Sequence, residues 1–258
     1  ETENNGLVTY DREIMKIDPE IVALANQGYL PPRLEEDTQI FIDKYEVKLA
    51  SPAKDAQIFY STDDSEPSQQ SKKYFEPFTI GSTITIKARA FWPNGKASRV
   101  NRFIICKVEP RKAAAVSGLK ANLKVDIYAG QWKMLPDFTN LTPAAKKTAG
   151  KMDLAAAGTN KNFALKYTGF IKIPQTGVYI FYVTSDDGSR LLIGEEVVVN
   201  NDGVHGAREK NGAIALEKGF HPLELLYFQD AGGRNLQVRL AGPGLKKQEI
   251  PSSVLSHR

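Results

Sequence analysis

From about residue 38 to its end, the chain consists of short runs in which apolar and polar residues alternate. Ile84 to Ala90 reads ITIKARA, and Lys124 to Tyr128 reads KVDIY. Turn residues such as Pro93-Asn94-Gly95 separate these runs. Alternation with period two places apolar side chains on one face of a strand. Short strands at this spacing, without long helical patterns between them, predict an all-β chain built from two β-sandwiches in series.

The domain boundaries follow from changes in this pattern. Arg111 to Gly118 is rich in Lys, Arg and Ala and does not alternate, so it is predicted to be a linker. The predicted division is therefore a leader (1–37), a first sandwich (38–110), a linker (111–118) and a second, larger sandwich (119–258).

Two helical elements are predicted outside the strands. Asp18 can cap a short helix in the leader, Pro19 suits its first turn, and Gly28 suits its C-terminal end. The Ala- and Lys-rich segment 142–158 indicates a helical turn in the second sandwich.

Composition excludes several classes of function. Lys and Arg (34) exceed Asp and Glu (30) by only four, and the charges are scattered, so nucleic acid binding has little support. No apolar run approaches the roughly 20 residues of a membrane helix, so no membrane insertion is expected. Cys106 is the single cysteine and is expected to be a buried, inert thiol. The polar start at Glu1, without Met, is expected to be a trimmed N-terminus that lacks its targeting segment.

A catalytic constellation is not recognisable. The three histidines do not stand at metal-ligand spacing, and neither a nucleophile elbow nor a phosphate-binding loop is present. Asp186-Asp187 is an adjacent pair of carboxylates, as are Asp63-Asp64 and Glu195-Glu196, but neighbours on a strand point to opposite faces. Catalytic carboxylates usually come from separate strand ends, so no catalytic residue is predicted. His205, in the loop Asp202 to Gly206, is kept as a ligand-contacting candidate.

Residues 57–103 carry a strand, then Thr62-Asp63-Asp64-Ser65-Glu66-Pro67-Ser68, then Pro77-Phe78 and the strand Thr85 to Phe91. This pattern resembles the immunoglobulin-like or fibronectin-like sandwich appended to chitobiase and β-hexosaminidase enzymes. Asp64 stands where that family usually has Gly, and Asp tolerates a left-handed turn. The resemblance implies a module without catalytic residues.

Residues 119–255 carry LKANLKVDIYAGQW at Leu119 to Trp132, TSDDGSRLLIG at Thr184 to Gly194, and Tyr227-Phe228 before Gly232-Gly233. This region resembles the protective-antigen-type (PA) domain of bacterial toxins, glycosidases and fungal adhesins. The resemblance implies a jelly-roll-like β-sandwich with carbohydrate-binding or accessory roles beside catalytic domains.

The pair Asp186-Asp187 has two interpretations. In the sugar-binding fungal adhesins of this family, two aspartates joined by a cis peptide bond hold Ca²⁺ with an Asn from a later loop. The later loop here has Gln229 and Asp230 but not that Asn, and the resemblance then implies calcium held by these two residues and the aspartate pair. Alternatively, the pair is a strand-end turn in which Asp186 accepts hydrogen bonds from the N–H groups of the next two residues, Gly188 and Ser189.

These observations give one functional expectation with two alternatives. The chain is expected to be a non-catalytic carbohydrate-binding accessory region of a secreted, periplasmic or cell-surface bacterial protein. Its expected partners are a glycan and an adjoining glycoside hydrolase domain. The expected ligand-binding residues are Asp186, Asp187, Asp230, His205 and Trp132. The alternatives are a structural or protein-interaction spacer without a ligand, and part of a β-hexosaminidase-like hydrolase.

Overall fold

A computed structural model describes residues 28–35, 38–51 and 53–258. The chain divides into two compact units, Glu1–Glu109 and Pro110–Arg258. Both are built from strands, and the described residues contain no helix of seven or more residues, so the all-β prediction is confirmed. The predicted leader helix begins outside the described residues. No helix in the described part of the chain has the length and apolar character needed to cross a membrane.

The first unit has a five-stranded sheet whose strand order is β2-β9-β8-β5-β6, together with two strand pairs, β3-β7 and β1-β4. Its strands are β1 (Arg33–Leu34), β2 (Ile40–Phe41), β3 (Tyr45–Val47), β4 (Leu49–Ala50), β5 (Gln57–Ser61), β6 (Lys72–Lys73), β7 (Phe78–Ile80), β8 (Ile84–Phe91) and β9 (Asn101–Lys107). The alternation in β8 buries Ile86, Ala88 and Ala90 on one face, as the sequence predicts. Asp64 adopts a φ of 64° in its turn.

Two isolated residues of the first unit also have structural roles. Trp92 is buried and packs edge-on against Tyr29, with ring centroids 4.9 Å apart, so it braces the hairpin tip at Pro93 to Gly95. Cys106 is half-buried, and burial raises the pKa of its thiol, which keeps it protonated and unreactive.

The second unit is a sandwich of an eight-stranded and a four-stranded sheet. Its strands are β10 (Lys120–Ala121), β11 (Leu123–Ala129), β12 (Ala145–Ala149), β13 (Phe163–Ile173), β14 (Gly177–Asp186), β15 (Ser189–Ile193), β16 (Glu196–Asn201), β17 (Arg208–Leu216), β18 (Gly219–Gln229), β19 (Asn235–Gly242), β20 (Leu245–Glu249) and β21 (Leu255–His257). The larger sheet has the order β10-β21-β13-β18-β15-β16, with β11 also paired to β13 and β12 to β11. The smaller sheet has the order β17-β14-β19-β20. Short 3₁₀ helices cover Phe138–Asn140 and Ser252–Val254.

The eight-stranded sheet carries apolar side chains on both faces. Leu165, Leu225 and Tyr227 belong to the main core between the sheets. The residues that alternate with them point to the opposite face, where Ala164, Leu226 and Phe228 form a smaller core with Tyr128 and Phe138. This satellite core is covered by the chain after β11, so that loop is held against one end of the sandwich.

Two segments have a structure other than the one that the sequence predicts. The segment 142–158 contains strand β12 and a hydrogen-bonded turn, Ala157 N–H to the Leu154 carbonyl, rather than a helix. Ladder pairing of β12 with β11 overrides the helical propensity of Ala and Lys. The predicted linker is hydrogen-bonded to the second unit: Arg111 donates its N–H to the Ala215 carbonyl.

Candidate functional site

Four segments of the second unit meet at one end of its sandwich. They are the turn between β14 and β15, the β16–β17 loop, the β18–β19 loop and the loop that follows β11. Asp186 is the last residue of β14 and pairs with Asn235, the first residue of β19, so the strand register brings two of these segments together. The β16–β17 loop donates a hydrogen bond to Asp187, and the loop after β11 donates hydrogen bonds to Asp230.

Asp187 is the most buried acid of the group, with 2% of its surface exposed. Its Oδ1 accepts the backbone N–H of His205 (3.1 Å), and its Oδ2 accepts the backbone N–H of Asp230 (2.8 Å) and Nε2 of Gln229 (3.3 Å). The peptide bond between Asp186 and Asp187 is cis. Asp187 therefore joins three loops through one carboxylate.

Asp186 is more exposed to solvent than Asp187, and its carboxylate lies at the edge of the group. A Cβ added to Gly233 would lie 2.9 Å from Oδ2 of Asp186, so the β18–β19 loop comes close to this carboxylate. Burial and then the charge of Asp187 raise the pKa of Asp186, whereas His205 and the N–H of Ala207 act in the opposite direction. The backbone N–H of Ala207, in the β16–β17 loop, is therefore a donor to this carboxylate.

Gln229 is fully buried at the centre of the group. Its Nε2 lies 2.8 Å from the carbonyl oxygen of Gly233 and 3.4 Å from that of Ala231, as well as close to Asp187. Three oxygen atoms thus converge on the position of one amide nitrogen. Such convergence is the arrangement that a bound cation would also require.

The hydroxyl of Tyr227 contacts both the Asp186 carbonyl oxygen and Oε1 of Gln229. A hydroxyl has one proton and can donate to only one of these acceptors. If the Gln229 amide is turned by 180°, its N–H₂ donates to the Tyr227 oxygen, and Tyr227 donates to the Asp186 carbonyl. Both contacts are then satisfied, but the three converging oxygens lose the N–H groups of Nε2 and meet Oε1 instead. Burial, followed by the charges of Asp187 and Asp186, raises the pKa of Tyr227, so its hydroxyl keeps this proton.

Asp230 directs its carboxylate away from this centre. Oδ1 accepts from Nε2 of Gln131 (3.0 Å), and Oδ2 pairs with Nζ of Lys133 (2.5 Å). The hydrogen bonds from Lys133 and Gln131 lower the pKa of Asp230. Asp230 therefore ties the β18–β19 loop to the loop after β11, and only its backbone N–H faces Asp187.

His205 and Trp132 have their side chains engaged by the protein. The imidazole of His205 lies between two carbonyl oxygens, those of Gly206 (2.9 Å from Nδ1) and Asn201 (2.8 Å from Nε2). Trp132 is half-buried against the satellite core, and its ring fills the space beside Gly130. Its exposed part remains at the edge of the site.

Several residues that shape the site carry no sequence signal for it. Lys133 and Gln131 flank Trp132 in an exposed loop, and Asp202 lies in the β16–β17 loop, where its Oδ1 accepts the N–H of Leu135 (2.8 Å). Spacing along the chain does not reveal these contacts, because they join residues 67 to 99 positions apart. In the sequence, Tyr227 stands out only as part of the family pattern, and its contact with Gln229 follows from burial in β18.

Within the described ranges, no three His, Cys, Asp or Glu side chains lie together in an arrangement that could hold a metal ion. The predicted set of three aspartates therefore does not converge, because Asp230 faces Lys133. An oxygen site here would use Asp186, Asp187, the Gln229 amide and the carbonyls of Ala231 and Gly233. Carboxylate, amide and carbonyl oxygens are ligands that suit Ca²⁺, so the residues fit that ion.

Comparison with protein families gives two matches in the predicted order. Residues 38–102 match the chitobiase/beta-hexosaminidase C-terminal domain, and residues 136–253 match the PA14 domain, which is the protective-antigen-type fold. Both resemblances inferred from the sequence are confirmed.

A curated relative is the beta-hexosaminidase of Porphyromonas gingivalis (strain ATCC BAA-308 / W83), which is 24% identical over 205 residues. The match covers 76% of this chain and 26% of that protein, so the chain spans about a quarter of its relative's length.

Solved structures with a similar fold include two PA14 domains and one adhesin domain. The PA14 domain of the MpAFP antifreeze protein has a TM-score of 0.47 and 19% identity, covering 57% of this chain and 96% of that one. The PA14 sugar-binding domain of an RTX adhesin has a TM-score of 0.46 and 20% identity, covering 54% and 99%. The epithelial adhesin 9 A domain of Candida glabrata, solved with Galβ1-3GlcNAc, has a TM-score of 0.46 and 13% identity, covering 57% and 95%.

Proposed function

We propose that this chain is a non-catalytic carbohydrate-binding accessory region of a secreted or surface glycan-processing protein. The observation that carries the proposal is the convergence of loop oxygens around Gln229 beside the open carboxylate of Asp186. The family matches support an accessory role next to a glycoside hydrolase domain. Such a domain, and export from the cell, belong to the same proposal.

If the Gln229 amide were turned, the oxygens around it would need a cation at this position. With the Gln229 amide turned, four oxygens from Gln229, Asp187, Ala231 and Gly233 face one another without a proton between them. Oxygens that meet in this way repel one another unless a positive charge lies between them. Bound Ca²⁺ would supply that charge and a coordination position for sugar hydroxyl oxygens.

Sugar binding at this site would be shallow. The Asp186 carboxylate and the loop backbone can meet sugar hydroxyl groups, and the exposed part of Trp132 offers an aromatic surface for a pyranose ring. Asp230 and His205 would act by holding the loops in place, because their side chains already have partners within the protein.

The decisive experiment is glycan-array binding by the intact chain with Ca²⁺ and with a chelator. Binding that requires Ca²⁺ and disappears in Asp186→Ala supports the proposal. Glu195→Gln, an exposed acid in the β15–β16 turn, is the matched control and should bind as the wild type does. Failure to bind any glycan in either condition would remove the lectin function.

One observation favours a second candidate, a structural spacer without a ligand. In the arrangement described, both oxygens of Asp187 and the whole Asp230 carboxylate already have protein partners. A spacer would lose stability but no binding when Asp187 is replaced. Activity on a chromogenic hexosaminide, abolished by one carboxylate substitution, would instead establish a hydrolase.

A further inference from the structure

A small cavity lies beside strand β19 in the second unit. Strand β20 pairs with β19 only from Arg239 onward, where Arg239 faces Glu249. Among the described residues, the stretch 235–238 of β19 therefore has a ladder partner on one side only, which is β14. The segment 151–153 lines the other side, and the space between them is a cavity of about 80 Å³. The early end of β20 thus leaves a gap that the neighbouring loop does not fill.

The inner part of this cavity is apolar and already formed. Its apolar lining consists of Met152, Leu236, Val238 and Ile250. These side chains belong to the main core between the sheets and are only 5–7% exposed. The loop side of the cavity is held in place, because the hydroxyl of Tyr167 donates to the carbonyl oxygen of Asp153. An apolar group of a few heavy atoms can therefore enter without rearrangement of the core.

The mouth of the cavity is polar and has both an acceptor and donors to spare. The two carboxylate oxygens of Glu249 have partners, since Oε1 accepts from Nε2 of Gln237 (3.0 Å) and Oε2 pairs with Nζ of Lys151 (3.3 Å). Asp153 differs, because its Oδ1 accepts the backbone N–H of Ala155 (2.9 Å) and its Oδ2 has no hydrogen bond within the described part of the chain. The ammonium group of Lys151 has three protons, of which Glu249 takes one. The mouth therefore offers one carboxylate oxygen as an acceptor and ammonium protons as donors.

We propose that this cavity is a second sugar-binding site, which holds the acetamido group of an N-acetyl-hexosamine. The methyl group of the acetamido substituent lies against the apolar lining, its carbonyl oxygen accepts from Lys151, and its N–H donates to Oδ2 of Asp153. A hexose without this substituent has hydroxyl groups but no methyl group for the apolar lining. The inference rests on the proposed carbohydrate-binding function for its class of ligand, but it uses neither Asp186 nor a cation.

The test is an NMR titration of the intact, ¹⁵N-labelled chain in EDTA with methyl N-acetyl-β-glucosaminide and with methyl β-glucoside. The acetamido sugar should shift the backbone amide signals of Met152, Gln237 and Val238. Its Kd should be about 1 mM, because only a few heavy atoms are buried. Methyl β-glucoside should bind at least about tenfold more weakly, since it loses the buried methyl group and both hydrogen bonds. Asp186→Ala should leave this binding unchanged.

Asp153→Asn tests the acceptor in the mouth of the cavity. Asparagine keeps an oxygen for the N–H of Ala155 and places an N–H₂ group where Oδ2 was, so the acetamido N–H meets a donor. Binding should weaken by at least about fivefold. The matched control is Asp63→Asn in the first unit, because Oδ1 of Asp63 likewise accepts the backbone N–H two residues ahead, that of Ser65 (3.2 Å). This control should bind as the wild type does.

The outcomes separate this site from the one at Asp186. Equal affinity for the two glycosides would overturn the acetamido inference. Unchanged affinity in Asp153→Asn would overturn the role of Asp153. Signals that shift only around Asp187 and Gln229, or no shift at the cavity, would overturn the second site as a whole. The glycan array in Ca²⁺ still decides the proposed function in each of these cases, because it depends on Asp186 and is measured separately.

Discussion

Replacement of Asp187 by Asn tests the connection that holds the candidate site together. The wild-type carboxylate accepts two backbone N–H groups, from His205 and Asp230, one on each oxygen. Asparagine has one oxygen and one N–H₂ group. Whichever way the amide turns, one of the two backbone donors faces another donor, and both lie in a buried environment.

The loss of stability expected for Asp187→Asn follows from these contacts. A buried donor left without an acceptor costs about 1–3 kcal/mol, and the remaining bond loses its charge assistance. Removal of the negative charge also relieves its repulsion with Asp186, whose pKa is raised by Asp187, and this partly offsets the loss. We expect Asp187→Asn to lower the free energy of unfolding of the second unit by about 2 kcal/mol.

The assay is equilibrium unfolding in urea followed by tryptophan fluorescence. The chain has two tryptophans, Trp92 in the first unit and Trp132 in the second, so a Trp92→Phe background reports the second unit alone. The control is Glu195→Gln, an exposed substitution expected to change stability by less than about 0.5 kcal/mol. A change below that limit in Asp187→Asn, with an unaltered m-value, would refute the role given to its hydrogen bonds.

Four further outcomes are expected. Gly188→Ala should cost about 1–3 kcal/mol in urea unfolding, because its Cβ would lie 2.4 Å from Phe228, whereas Gly206→Ala meets no atom within 4 Å and should be neutral. Tyr227→Phe should cost about 1–3 kcal/mol in the same assay, since the Asp186 carbonyl loses its buried donor. Calcium at about 100 times its Kd should add about 2.7 kcal/mol to the stability of the wild type and nothing to Asp187→Asn, and an unchanged wild type would contradict the cation site. Asp230 has a lowered pKa, so its pairing with Lys133 stabilises the fold above the ordinary value of 3.8 and is lost as the pH falls below it; the stability difference between wild type and Lys133→Gln should therefore vanish in acid, and a constant difference would contradict this.

The strand pattern was readable from the sequence because burial on one face imposes a period of two. The run at Ile84 to Ala90 became β8, which buries Ile86, Ala88 and Ala90, and Lys124 to Tyr128 became part of β11, which buries Val125 and Ile127. Strand β12 was not predicted, because Lys146 and Lys147 stand in an exposed edge strand without an apolar face. The partner strand, rather than local propensity, fixes that segment.

The position of the aspartate pair could also be predicted from the sequence. The Ser-Asp-Asp-Gly motif marks the end of a strand and is typical of the family. The roles of the individual oxygens were not. Asp230 was expected to face the pair, but its side chain faces Lys133, which lies 97 positions earlier in the chain. Its backbone N–H meets Asp187 across 43 positions.

The sequence by itself therefore determined two all-β sandwiches, their order and the strand end at which a site could form, because these depend on periodicity and turn chemistry along the chain. Only the tertiary structure decided which donors reach Asp187, where Gln229 lies and which way the side chain of Asp230 points. These contacts join loops that are distant in sequence, and the register of β13, β14, β18 and β19 sets the distances between them.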